Sequence, residues 1–129
     1  MNELERKEMC KLVEEHLMEN IIDILNEEFG NLGMDEFSMY KRKKERLCNG
    51  IDDKQLKYSI NRLKSQLKMY IDKYVSIKVS QFELKTASNI IGLRRNKHDT
   101  RSVELENESI RCMSEAINIA KNIYLLEHF

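Results

Sequence analysis

Leu56-Lys57-Tyr58-Ser59-Ile60-Asn61-Arg62-Leu63-Lys64-Ser65-Gln66-Leu67-Lys68-Met69-Tyr70-Ile71-Asp72-Lys73-Tyr74 is the stretch that decides the fold. Its seam of Leu56, Ile60, Leu63, Leu67, Tyr70, Ile71 and Tyr74 advances mainly by fours and threes. Such spacing keeps a stripe on one side of a helix, whereas a strand half-buried in a sheet alternates every second residue. Asp52 or Asp53 supplies the N-cap. The stripe is close to a heptad and has to be buried, so the helix calls for helical neighbours packed at the shallow angle of a bundle.

Downstream, Tyr74-Val75-Ser76-Ile77-Lys78-Val79 alternates with a period of two. A lone strand has nothing to pair with, so the segment reads as helix fraying into a turn. Ser80-Gln81-Phe82-Glu83 fits a capping box and opens a fourth helix through Leu84, Ala87, Ile90 and Ile91, ending near Gly92. Arg94–Ser102 holds no apolar residue and reads as a polar loop. A fifth helix follows from Val103, with a seam of Ile110, Met113, Ile117, Ala120 and Tyr124.

Upstream, Met9, Leu12, Val13, Leu17, Ile21, Ile24 and Leu25 mark a first helix from Asn2 or Glu3 to Glu28. Asn2 caps it, and Glu3 and Glu5 suit the positive end of its dipole. Gly30–Gly33 ends that helix, Asp35 caps a short second one through Cys48, and Asn49-Gly50 closes it. With no proline and only four glycines in 129 residues, almost nothing interrupts helix. The expectation is one all-α domain over residues 1–129, an antiparallel helical bundle of three long and two shorter helices.

No apolar run approaches the roughly 18 residues of a membrane span. The start, Met-Asn-Glu-Leu-Glu-Arg-Lys, lacks the pattern of a secretory signal. Cys10, Cys48 and Cys112 are odd in number, widely spaced and beside apolar stripes, which suits small buried hydrophobes in a reducing compartment. These features set the expectation of a cytoplasmic protein.

The charges cancel in total but are sorted along the chain. Met1–Phe37 holds eleven acidic residues against three basic, and Ser38–Gln81 twelve basic against four acidic. Segments of opposite sign either pair inside one bundle or present their fields to partners. Lys41, Arg42, Lys43 and Lys44 crowd the second helix, while Lys57, Lys64 and Lys68 share a face of the third. Such density neutralises phosphates, and Tyr40, Tyr58 and Tyr70 are of a type that stacks on unpaired bases. Met34 and Met39 around Phe37 form an adaptable apolar patch. Glu14, Glu15, Glu19, Asp23, Glu27 and Glu28 form an acidic ridge suited to a basic partner or to the basic helix of a second copy. The Glu-x-x-His spacing of di-iron bundles is missing: Val13, Arg95 and Leu125 precede His16, His98 and His128 at that distance. No metal or cofactor is expected.

Arg94, Arg95, Lys97, His98 and Arg101 complete the candidate binding residues. Arg-Asn-Lys-His in an all-helical setting resembles the HEPN helical ribonucleases, whose motif sets an Arg, a polar residue and then a His, with four to six positions intervening between the Arg and the His. That resemblance implies that Arg and His act on the scissile phosphate of RNA. The spacing departs from it, because two residues separate His98 from Arg95 and three separate it from Arg94. No Gly-x-Ser-x-Gly, phosphate-binding glycine loop, His-Glu-x-x-His or Cys-x-x-Cys occurs. The leading expectation is a small non-enzymatic helical protein that binds and modulates another macromolecule, most readily a protein and with self-association. An inhibitor or adaptor carried by a phage or virus fits the size and sorted charges. Alternatives are a nucleic-acid-binding accessory factor using the second and third helices, then a degenerate HEPN-like ribonuclease.

Overall fold

A computed structural model describes the backbone of residues 1–91 and 95–129, and the side chains of residues 1–86 and 101–129. Among the described residues there are four helices and no strand: α1 (Glu3–Phe29), α2 (Met34–Leu47), α3 (Asp53–Ile91) and α4 (Arg95–His128). The expected all-α bundle is present, with four helices in place of five.

The merged helix is α3, which runs for 39 residues straight through the segment read as fraying. Val75 and Val79, one turn apart, are buried in the core cluster that holds Leu17 and Ile21 of α1. Ile77, between them in sequence, is buried with Leu105 and Cys112 of α4. The period of two is therefore two helical faces interleaved, one buried where α1 and α4 both meet α3 and the other against α4 alone. Ser80 and Glu83 lie within the helix and form no cap. Glu83 instead meets Arg6 of α1 at 3.3 Å.

The stretch read as a polar loop is also helical from Arg95 onward. With neither glycine nor proline between Arg95 and Ser102, intrinsic propensity carries α4 backward past its last buried apolar residue. Arg101 and Glu104, three apart, add a pair at 3.8 Å. Arg94 lies outside the described residues.

Other ends follow their caps. Asn2 accepts from the Glu5 amide at 2.8 Å. Asp52 accepts from the Gln55 amide at 2.8 Å, while Gln55 accepts from the Asp52 amide at 3.0 Å, a reciprocal box that opens α3. Asp35 sits in the first turn of α2, one residue inside the helix, and Gly33 takes the cap position without a side-chain bond. Gly50 closes α2 with φ +81°, a conformation that costs a β-carbon-bearing residue about 1 kcal/mol or more.

Ion pairs show the directions of the long helices. Lys64–Glu127 at 2.8 Å and Lys78–Glu106 at 3.2 Å show α3 and α4 to be antiparallel. Arg6–Glu83, together with Leu17 and Ile21 packed with Ile71 and Val75, shows α1 antiparallel to α3, so α1 and α4 run in the same direction. The core lies where the three meet, around Leu17, Ile21, Ile71, Val75, Val79, Ala116 and Ala120. On α4 the deepest stripe passes through Leu105, Ser109, Cys112, Ala116, Ile119 and Ile123. Of the seam read from sequence, Ala120 lies in the core, Met113, Ile117 and Tyr124 are half-buried at its flank, and Ile110 is exposed. Small residues at Ser109, Cys112 and Ala116 let the helices approach closely, and a count of large apolar residues passes over them. The Ser109 hydroxyl, 1% exposed, donates to the Glu106 carbonyl at 2.8 Å and so leaves no unsatisfied donor.

No residue of α2 is buried. It is held at one end of the bundle by aromatic side chains: Tyr40 lies 5.0 Å from Phe29 of α1 and 5.6 Å from Phe129, and Phe37 lies 5.2 Å from Phe129.

Candidate functional site

The structure divides the candidate binding residues between opposite ends of the bundle. Lys41, Arg42, Lys43 and Lys44 ride on α2, beside the C-terminal ends of α1 and α4. Lys64 joins them at this end through Glu127, and Lys57 lies further toward the start of α3. Arg101 belongs to the other end, since 26 residues of α4 between it and Glu127 span about 39 Å. Arg95, Lys97 and His98 lie in the first turns of α4, with side chains outside the described residues. The two groups form no single patch.

Of the candidate cations at the basic end, Lys64 alone has an ion-pair partner among the described residues. Among the described residues, no ion pair within 4 Å involves Lys41, Arg42, Lys43, Lys44, Lys57 or Lys68. The acidic ridge is equally unanswered: among the described residues only Glu28 of its members is paired, to Lys121 at 2.6 Å. Glu14, Glu15, Glu19, Asp23 and Glu27 are exposed. No described ion pair links the basic run of α2 to the ridge of α1, so both fields face solvent.

Tyrosines are sorted too. Tyr58 is 71% exposed on α3 and free to stack. The Tyr40 hydroxyl donates to Glu28 at 3.1 Å, and burial followed by that carboxylate pushes its pKa up. Tyr70 is half-buried against the core. One of the three candidate stacking rings is therefore open.

Among the described residues, three concave regions stand out. A polar notch of about 240 Å³ lies among Glu28, Tyr40, Lys43, Asn118, Lys121 and Asn122, where α1, α2 and α4 meet. On α2, Met39, Arg42, Glu45 and Arg46 with Asn49 line an outer groove of about 500 Å³. An apolar groove of about 550 Å³ runs between α1 and α3, over Met9, Leu12, Val13, His16, Tyr74, Lys78 and Phe82. Periodicity did not single out this last groove. Leu12 was read as part of the buried seam, yet it is 66% exposed.

Among the described residues no three His, Cys, Asp or Glu side chains converge to hold a metal ion. No described helix is long and apolar enough to cross a membrane. The three cysteines are unpaired, with Cys112 buried and Cys10 and Cys48 half-buried. Comparison with known proteins returns no family model, no curated protein and no solved structure that matches the chain.

Proposed function

We propose that the protein is a non-enzymatic helical binding module that docks another protein through α2. The observation that carries this reading is a complete helix with no buried residue. It exposes Met34, Met39 and Leu47 among Lys41, Arg42, Lys43 and Arg46. Met34 is 88% exposed. Apolar side chains set among cations suit a protein surface that offers both carboxylates and an apolar patch. Phosphate backbones make no use of thioethers, which repack against varied protein partners. Holding α2 at the bundle end by aromatic contacts preserves its shape while leaving its outer face open.

The test is affinity capture from a lysate of the native source, comparing wild type with a variant carrying Met34→Ser, Met39→Ser and Leu47→Ser. The reading expects a protein retained by wild type, lost with the variant and indifferent to nuclease. Capture that survives the substitutions overturns it.

A second reading, nucleic-acid binding, draws on Lys41, Arg42, Lys43, Lys57 and Lys68 being without ion-pair partners among the described residues, with Tyr58 exposed nearby on α3. It expects capture abolished by nuclease, and affinity for labelled probes that falls steeply with salt as counterions are released.

A further inference from the structure

The acidic face of α1 and the basic outer face of α2 are complementary yet kept apart within one chain. Glu15 and Glu19 lie 13 and 9 residues before Glu28, so about 20 and 14 Å of helix separate them from the end where α2 is held. Tyr40 and Phe29 hold α2 at that end, and α2 runs back against α4, with Lys43 beside Asn118 and Asn122. Among the described residues no ion pair joins the two faces within one chain, which leaves each of them open to a second molecule.

Their residue patterns match in register. On α1, Leu12, Glu15 and Glu19 stand at i, i+3 and i+7, a single helical face. On α2, Met39, Arg42 and Arg46 stand at the same spacing, and all three line its outer groove. Leu12 opens onto the apolar groove with Met9, Val13 and Phe82. All four charged residues are exposed, and no described ion pair engages them.

We propose that the partner of α2 is a second copy of this chain. The outer face of α2 lies along α1 of the neighbour, running in the same direction. Met39 enters the groove at Leu12 and Phe82, and Arg42 and Arg46 face Glu15 and Glu19. A two-fold axis that places each α2 on the other copy's α1 makes the contact twice and closes the assembly as a dimer. The register also juxtaposes one like-charged pair, Glu8 and Asp35, four residues before Leu12 and Met39. The proposal rests on the reading of α2 as the docking helix.

Light scattering and sedimentation equilibrium on the full chain test it. Wild type is expected to dimerise at tens of micromolar and to weaken about tenfold between roughly 50 and 300 mM salt, as screening shortens. Arg42→Glu with Arg46→Glu, and separately Glu15→Lys with Glu19→Lys, are each expected to give monomers with helical circular dichroism. Mixing the two variants is expected to restore a heterodimer, a result that also shows both are folded. Glu8→Lys is expected to tighten the dimer, whereas attraction without this register would be weakened by the loss of acidic charge on α1. A wild-type monomer at low salt overturns the proposal and leaves the lysate experiment to decide whether α2 docks a foreign protein. Dimers that persist in both charge-reversed variants, or reversed variants that stay monomeric when mixed, overturn the interface.

Discussion

Phe29, in the last turn of α1, stacks on Tyr124 of α4 with ring centroids 4.6 Å apart and planes 14° from parallel. Phe129 lies 5.8 Å from the same Phe29 ring and 6.2 Å from Tyr124, and Tyr40 meets Phe29 edge-on. One cluster thus joins α1 to α4 and carries α2, so core stability and the placement of the proposed docking helix share a set of rings.

Phe29→Ala is expected to lower unfolding stability by about 3 kcal/mol, since the ring is buried and its neighbours cannot all collapse into the space. Phe37→Ala touches only the outer part of the cluster, where Phe37 is itself exposed. Its expected effect is local: faster hydrogen exchange across α2 and protease cleavage at Gly30–Gly33 or Asn49–Gly50, with the exchange of α3 and α4 unchanged. Equal acceleration along all four helices would show that α2 is integral to the core.

The fold was legible in the sequence where a helix buries one face and failed where it buries two. Leu56 to Tyr74 has a single stripe, and its reading as helix stands. Val75, Ile77 and Val79 are sandwiched between α1 and α4, and their alternation mimics a strand. The apparent capping box at Ser80–Glu83 was a local pattern overridden by tertiary contact, with Glu83 taken up by Arg6. For the candidate site, the basic run and the methionines around Phe37 could be read from residue type alone. The separation of Lys41–Lys68 from Arg101 could not, because the antiparallel path of α4 has no local signature. Nor could the groove at Leu12, a gap between helices set by how far α1 leans on α3.

The Glu106 carboxylate accepts from Gln81 at 2.8 Å and from Lys78 at 3.2 Å, which holds its pKa below the ordinary glutamate value. A carboxylate with a lowered folded-state value contributes stability above the unfolded value, about pH 4.3, and loses it as pH falls through the folded one. Glu106→Gln is therefore expected to flatten part of the acid limb of a stability-versus-pH curve below about pH 4.3. Because the site is exposed, the difference at neutral pH is expected to be small. An acid limb that superimposes on wild type would show that the bond to Gln81 does no stabilising work in solution.

Cys112 is fully buried on α4, and burial, followed by the neighbouring Glu108 carboxylate, pushes its thiol pKa up. Only the thiolate attacks an alkylating reagent, so Cys112 is expected to react last, after Cys10 and Cys48. Mass spectrometry of partly alkylated protein reads the order directly. In denaturant the three are expected to react at similar rates. Early modification of Cys112 in folded protein would mean that α3 and α4 open far more often than their packing implies.

The unpaired lysines give a clean separation between structure and binding. Reversing Lys41, Lys43, Lys57 and Lys68 to Glu removes no described ion pair, so each change is expected to alter stability by no more than about 0.5 kcal/mol. Lys64→Glu differs: it breaks the 2.8 Å contact with Glu127 and sets two carboxylates against each other on neighbouring helices. It is expected to lower the melting temperature measurably, and a second change, Glu127→Lys, to restore it by inverting the pair. If the fourfold reversal melted as low as Lys64→Glu, the basic end would be held by the acidic helix in solution. It would then be a structural element rather than a free surface. With stability unchanged, any loss of binding in the reversed protein is attributable to the surface itself.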